Sequence, residues 1–148
     1  MPSVCFYFQV HQPFRIRRFR FAEVGHRHRY FDDERNALIL DKVARKCYLK
    51  TNAVLKKMIE EWDGRFRISF SISGVALEQM RLYAPEVLES FQSLVKTGHV
   101  ELLGETFHHS LAALYDETEF VEQVRLHREA MRDYFDATPV VFRNTELI

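Results

Sequence analysis

Four short stretches of this chain look like strands, the first two with clear period-two alternation of apolar and polar residues. In the first, residues 4–10, Phe6, Phe8 and Val10 alternate with Tyr7 and Gln9, and His11 continues the polar row. In residues 66–72, Phe66, Ile68, Phe70 and Ile72 face away from Arg67, Ser69 and Ser71. Residues 99–103 set Val100 and Leu102 against His99, Glu101 and Leu103, and residues 140–145 follow Pro139. Between them the period changes. Residues 38–62 predict two helices, the first marked by Leu38, Val43 and Cys47, the second by Val54, Leu55, Met58, Ile59 and Trp62. Pro85 suits a first helical turn, with Val87, Leu88, Phe91, Leu94 and Val95 as a buried stripe and Gly98 as the stop. Phe120, Val124, His127, Met131 and Tyr134 form a further stripe, with Asp116 or Thr118 as its cap.

Strands alternating with helices predict parallel strands joined by helical crossovers, an α/β architecture in a single unit with no linker. The apolar face of each strand should meet the helices. The other face carries Gln9, His11, Ser69, Ser71 and Glu101, and a polar face that converges at the strand ends is what a barrel mouth or switch-point cleft needs. Residues 15–35 show no periodicity, and connections of about 20 residues are usually functional or disordered.

Composition narrows the partners. The 148 residues carry 21 Lys+Arg and 21 Asp+Glu, so no basic surplus favours nucleic acid. Arg15, Arg17, Arg18 and Arg20 interleave with Phe14, Phe19 and Phe21, a pattern that could stack on bases, but zero net charge favours a solvated loop lying over a cleft. No stretch approaches the roughly 20 apolar residues of a membrane span, and the amino terminus lacks a basic signal-peptide region. A cytoplasmic protein is expected, with Cys5 and Cys47 as buried, reduced thiols.

The chemistry should sit at the carboxyl ends of the strands. His11-Gln12-Pro13 follows the first, Glu101 to His109 runs through and past the third, and residues 142–148 end the fourth. A parallel sheet would bring His11, Glu101 and Glu146 together. Position alone supports no more than an enzyme-like α/β domain.

Six stretches go further: VCFYFQVHQPF (residues 4–14), YFDDE (30–34), FSISG (70–74), LYAPEVLESF (82–91), GHVELLGETFHHSL (98–111) and VFRNTELI (141–148). Together they resemble the amino-terminal part of glycoside hydrolase family 57, in its α-amylase-like branch. The resemblance implies the first half of a (β/α)7 barrel, about four parallel strands here, acting on α-glucans with retention of anomeric configuration and without a metal or other cofactor. It implies Glu146 as nucleophile and His11, Gln12, Glu101 and His109 as substrate-binding residues. His108 stands where the family resemblance suggests an aromatic residue, so the stacking surface there is altered. Arg143 and Asn144 would keep the nucleophile ionised. The acid/base is expected further along than Ile148. The natural protein is therefore expected to continue, residues 1–148 alone to be inactive, and open strand edges to permit self-association.

Two rivals remain open. One is a module that binds glucan or a partner without cleaving it. The other is a metal-dependent polysaccharide deacetylase, for which Asp32, Asp33, His26, His28, His108 and His109 are the candidate ligands, though without a compact zinc spacing.

Overall fold

A computed structural model describes residues 4–26 and 28–145. Three parallel strands, β1 (Phe6–Val10), β2 (Ile68–Ile72) and β3 (Val100–Leu103), lie in the order β1-β2-β3. The register pairs Phe8 with Phe70 and Phe70 with Leu102, so the apolar rows line up across the sheet. Among the described residues β1 pairs only with β2, which leaves its other edge free.

The expected fourth strand is a single parallel bridge between Gly104 and Phe142. The Gly104 N–H donates to the Val141 carbonyl at 2.8 Å, and the Arg143 N–H donates to the Gly104 carbonyl at 2.9 Å. Pro139 has no N–H to extend the ladder, and Val140 is exposed, so no apolar layer holds this segment flat.

Five α-helices are described: α1 (Asp33–Val43), α2 (Leu49–Glu61), α3 (Gly74–Tyr83), α4 (Pro85–Val95) and α5 (Glu117–Phe135). α1 begins earlier than the apolar pattern suggests, because Asp32 caps it by accepting from the Arg35 N–H. Its buried positions are Asn36 and Leu40, continued by Ala44, while Leu38 is 70% exposed. The two helices expected from residues 38–62 are one run, joined by a π turn at Ala44–Tyr48. Cys47 lies on the outside of that turn and Cys5 precedes β1, so both thiols are free but exposed rather than buried.

α3 is a helix that periodicity missed. Gly74, Val75, Ala76, Leu77, Gln79 and Met80 are all buried, and a helix covered on most sides shows no amphipathic stripe. α4 and α5 fall where expected, with Asp116 as the α5 cap accepting from the Glu119 N–H. Phe91 of α4 anchors the core. It is 2% exposed and meets Phe70 edge-on at 5.3 Å. Burying such a ring contributes about 1.5–3 kcal/mol.

Residues 15–17 and 30–32 pair with each other through their backbones. Ile16 and Phe31 form an antiparallel bridge, Arg17 N–H donates to the Tyr30 carbonyl, and Asp32 N–H donates to the Arg15 carbonyl. Asn36, fully buried on α1, accepts from the Arg15 N–H at 2.9 Å and pins that residue to the helix.

Candidate active site

The polar row of β1 and the chain beyond β3 converge at the carboxyl end of the sheet. His11 lies one residue past β1. Its Nδ1 is 2.8 Å from Ser73 Oγ, and its ring stacks on His109, centroids 4.2 Å apart with 22° between planes. Ser73 is the α3 cap and already accepts from the Ala76 N–H. Its own proton can therefore go to His11 Nδ1, leaving Nε2 as a donor. Burial, and behind it the neighbouring His109 ring, lowers the His11 pKa to about 4. His11 is thus neutral near pH 7.

His109 is held on its other side by Glu105. Its Nδ1 is 2.8 Å from Glu105 Oε2, and Gln9 Nε2 lies 3.3 Å from its Nε2. The His109 backbone takes a φ of 55°, a left-handed conformation that is uncommon for a residue with a Cβ. Glu105 is 1% exposed and also accepts from Ser71 Oγ at 2.6 Å. A buried carboxylate persists only where such donors compensate its lost hydration.

Beneath Glu105 lies His127 of α5. Its Nε2–H donates to the Ile72 carbonyl at 2.9 Å, so Nδ1 is left to accept the long contact from the Glu105 N–H at 3.5 Å. Burial lowers this imidazole below its ordinary pKa, although the Ile72 bond and the Glu105 charge oppose the shift. β2, β3 and α5 are thereby tied together behind the polar surface.

Of the residues expected in the site, His11 and His109 come together. Gln12 turns the other way: its amide donates to Tyr48 OH at 3.3 Å, its Oε1 accepts from Arg15, and its carbonyl accepts from Gln79 at 2.6 Å. Glu101 is not beside His11. It pairs in register with Ser69, itself opposite Tyr7, and accepts from Ser69 Oγ at 3.3 Å. That places it four residues short of His11, about 13 Å along the strand direction. It lines instead a hollow of about 580 Å³ at the amino end of the sheet, with Arg65, Arg67 and His99. Glu146 lies outside the described residues.

Glu105 is the residue that sequence reasoning passed over. The signal was present: Glu101, Leu103 and Glu105 share one parity, and Glu105 is the member beyond the strand end. Arg143, expected near the nucleophile, lies 4.8 Å above the Tyr7 ring and reaches Gln9 Oε1 at 3.5 Å. Asn144 accepts from the Thr145 N–H at 3.0 Å. Thr145 is buried, with Oγ1 2.8 Å from Thr106 Oγ1. His11 also lines a cleft of about 530 Å³, together with Phe14, Phe31, Tyr83 and His108. Among the described residues, no three His, Cys, Asp or Glu side chains form a group that could hold a metal, and no helix is long and apolar enough to cross a membrane.

The model of glycosyl hydrolase family 57 matches residues 5–148. A Methanocaldococcus jannaschii protein named "Putative alpha-amylase" is 42% identical over 148 residues, which are 98% of this chain and 31% of that protein. A Pyrococcus horikoshii alpha-amylase is 29% identical over 84 residues, 57% of this chain and 13% of the relative. The chain thus spans less than a third of the curated relatives it matches. Among solved structures, a 4-alpha-glucanotransferase from Thermococcus litoralis superposes with a TM-score of 0.62 at 17% identity, over 88% of this chain and 17% of that one. A family 57 branching enzyme from Thermococcus kodakaraensis, in complex with glucose and additives, gives 0.64 at 10% identity over 95% of this chain and 32% of that one. The parallel sheet with helical crossovers is accordingly the first half of the (β/α)7 barrel of these enzymes. On the extent of the family match and the identity to its M. jannaschii relative, the chain belongs to glycosyl hydrolase family 57.

Proposed function

We propose that this chain forms the sugar-holding side of a site acting on α-glucosidic bonds in starch-like glucans, with Glu146 as nucleophile. The observation that carries the reading is the strand-end array: neutral His11 stacked on His109, with His109 held by buried Glu105 and by Gln9. Thr145, immediately before Glu146, is buried against Thr106, the neighbour of Glu105, and this supports a nucleophile delivered to the same place. An array of oriented donors and acceptors is suited to sugar hydroxyls, and it rejects ligands that leave those groups unpaired.

In the retaining reaction a Glu146 oxygen would attack the anomeric carbon. The bond to the leaving oxygen breaks with its electron pair, and an acid protonates that oxygen. Water, or a hydroxyl of another glucan, then displaces the glucosyl group from Glu146. His11, donating through Nε2, and His109 would orient the sugar ring. The family resemblance puts the acid/base beyond residue 148, so residues 1–148 alone should bind glucan without hydrolysing starch.

The test combines binding and trapping. Maltoheptaose and cellohexaose are titrated into the chain while the histidine ring signals are followed by NMR. The chain is also incubated with 5-fluoro-α-glucosyl fluoride, whose leaving group needs no acid. The reading expects His11 and His109 to respond to the α-glucan only, and a glucosyl adduct on the Glu146 peptide that Glu146→Gln abolishes. Binding without an adduct would favour the non-catalytic module; no response to either glucan would overturn the reading.

A further inference from the structure

His11 belongs to two surfaces. One face of its ring meets His109 in the strand-end array, and His11 also lines the cleft of about 530 Å³. That volume lies within the range of about 300–1,000 Å³ of small-ligand sites. The walls combine two kinds of group. Phe14 and Phe31 stand side by side, centroids 4.9 Å apart and tilted by 35°, with Pro13 and Leu82 continuing the apolar surface. Opposite in character are the carboxylates of Asp33 and Glu78.

These carboxylates have acceptor capacity to spare. Tyr83 OH donates to Asp33 Oδ1 at 2.9 Å, which leaves Oδ2 open. Glu78 is half-buried on α3 and makes no hydrogen bond or ion pair among the described residues. Ring faces that take the C–H face of a pyranose, beside carboxylates that accept from its hydroxyls, suit a neutral polyol better than an apolar ligand. Phe31 is 48% exposed although it sits in this wall, and a sugar would cover it.

Resting on the glucan reading above, we infer that this cleft is a second glucosyl subsite, continuous through His11 and His108 with the strand-end array. Phe14 and Phe31 supply the stacking surface that His108 does not. Asp33 and Glu78 supply the hydroxyl acceptors.

The experiment compares affinities of maltotriose and maltoheptaose for the whole chain by calorimetry, in wild type, Phe31→Ala and Glu78→Gln. The subsite predicts that maltoheptaose binds wild type roughly tenfold more tightly than maltotriose. That ratio should fall toward unity in Phe31→Ala and several-fold in Glu78→Gln. Far-ultraviolet circular dichroism confirms that both variants fold, and Glu78→Gln, a nearly isosteric change, guards against misfolding of the other. Wild type binding both glucans equally, or variants keeping the full ratio, would overturn the subsite and leave the strand-end reading standing. Binding of neither glucan by wild type would overturn both.

Discussion

The imidazoles of His11 and His109 lie face to face at 4.2 Å, so protonating both would set two cations in contact. His11 is the one kept neutral, with a pKa lowered to about 4 by burial and then by its neighbour. In the unfolded chain His11 returns to about 6.5. The unfolded state therefore binds more protons between about pH 6.5 and 4, and stability falls as pH drops through that window. His127, also lowered by burial, adds in the same direction. We expect the urea midpoint to drop between pH 7 and pH 5, and His11→Gln to shrink that drop. For a ring this open to water the His11 share is on the order of 1 kcal/mol. An identical pH slope in the variant would remove His11 from the account.

Glu105→Ala removes the acceptor of both Ser71 and His109. Leaving such buried donors unpaired costs about 1–3 kcal/mol, so the urea midpoint should fall at pH 7. Released from its anchor, His109 should also lose its fixed tautomer, which long-range nitrogen–proton NMR reads directly. A variant as stable as wild type, with His109 unchanged, would show that the carboxylate holds nothing in place.

Gly74 opens α3 directly beneath the Phe107 ring, where a Cβ would overlap ring atoms. Its φ is not left-handed, so the constraint is space and not backbone freedom. Gly74→Ala should destabilise by about 1–3 kcal/mol through overpacking. Adding Phe107→Leu should recover part of that loss, and a double-mutant cycle measures the coupling. Strict additivity would mean that the two positions do not touch.

Asn36 pins α1 to Arg15, beside the Ile16–Phe31 bridge. Its Oδ1 accepts from Arg15 N–H, and its Nδ2 donates back to the Arg15 carbonyl at 3.4 Å. Asn36→Leu keeps the volume but strips both bonds. We expect about 1–3 kcal/mol of lost stability and faster tryptic cleavage at Arg17, Arg18 and Arg20. Unchanged cleavage would show that the backbone pairing of residues 15–17 with 30–32 holds without Asn36.

β1, β2 and α4 were legible because their apolar residues recur at regular spacing, so period alone reveals them. α3 was not, since its neighbours cover it nearly all round. The start of α1 was hidden for a related reason: its buried positions include the polar Asn36, and its most apolar outward residue, Leu38, faces water. Among the candidate site residues, His11 followed from strand-end position, and His109 only from the family resemblance. Glu101 and Glu105 could not be ranked by parity, because both face the same way and only the strand's end point separates them. Gln12 follows His11 directly in sequence, but its side chain turns toward Tyr48, which adjacency does not reveal.

The π turn at Ala44–Tyr48 sets the phase of the helical run that contains it. α1 packs on α3 before the turn, and α2 packs on α4 after it. Removing one residue there would restore a uniform helix, yet rotate everything downstream by about 100°. Asn52, Leu55 and Ile59 would swing away from the side they now bury, and Tyr48 would lose its reach to Gln12. That loop of extra backbone works as a gear offset, letting one rod mesh with two partners that are themselves out of step.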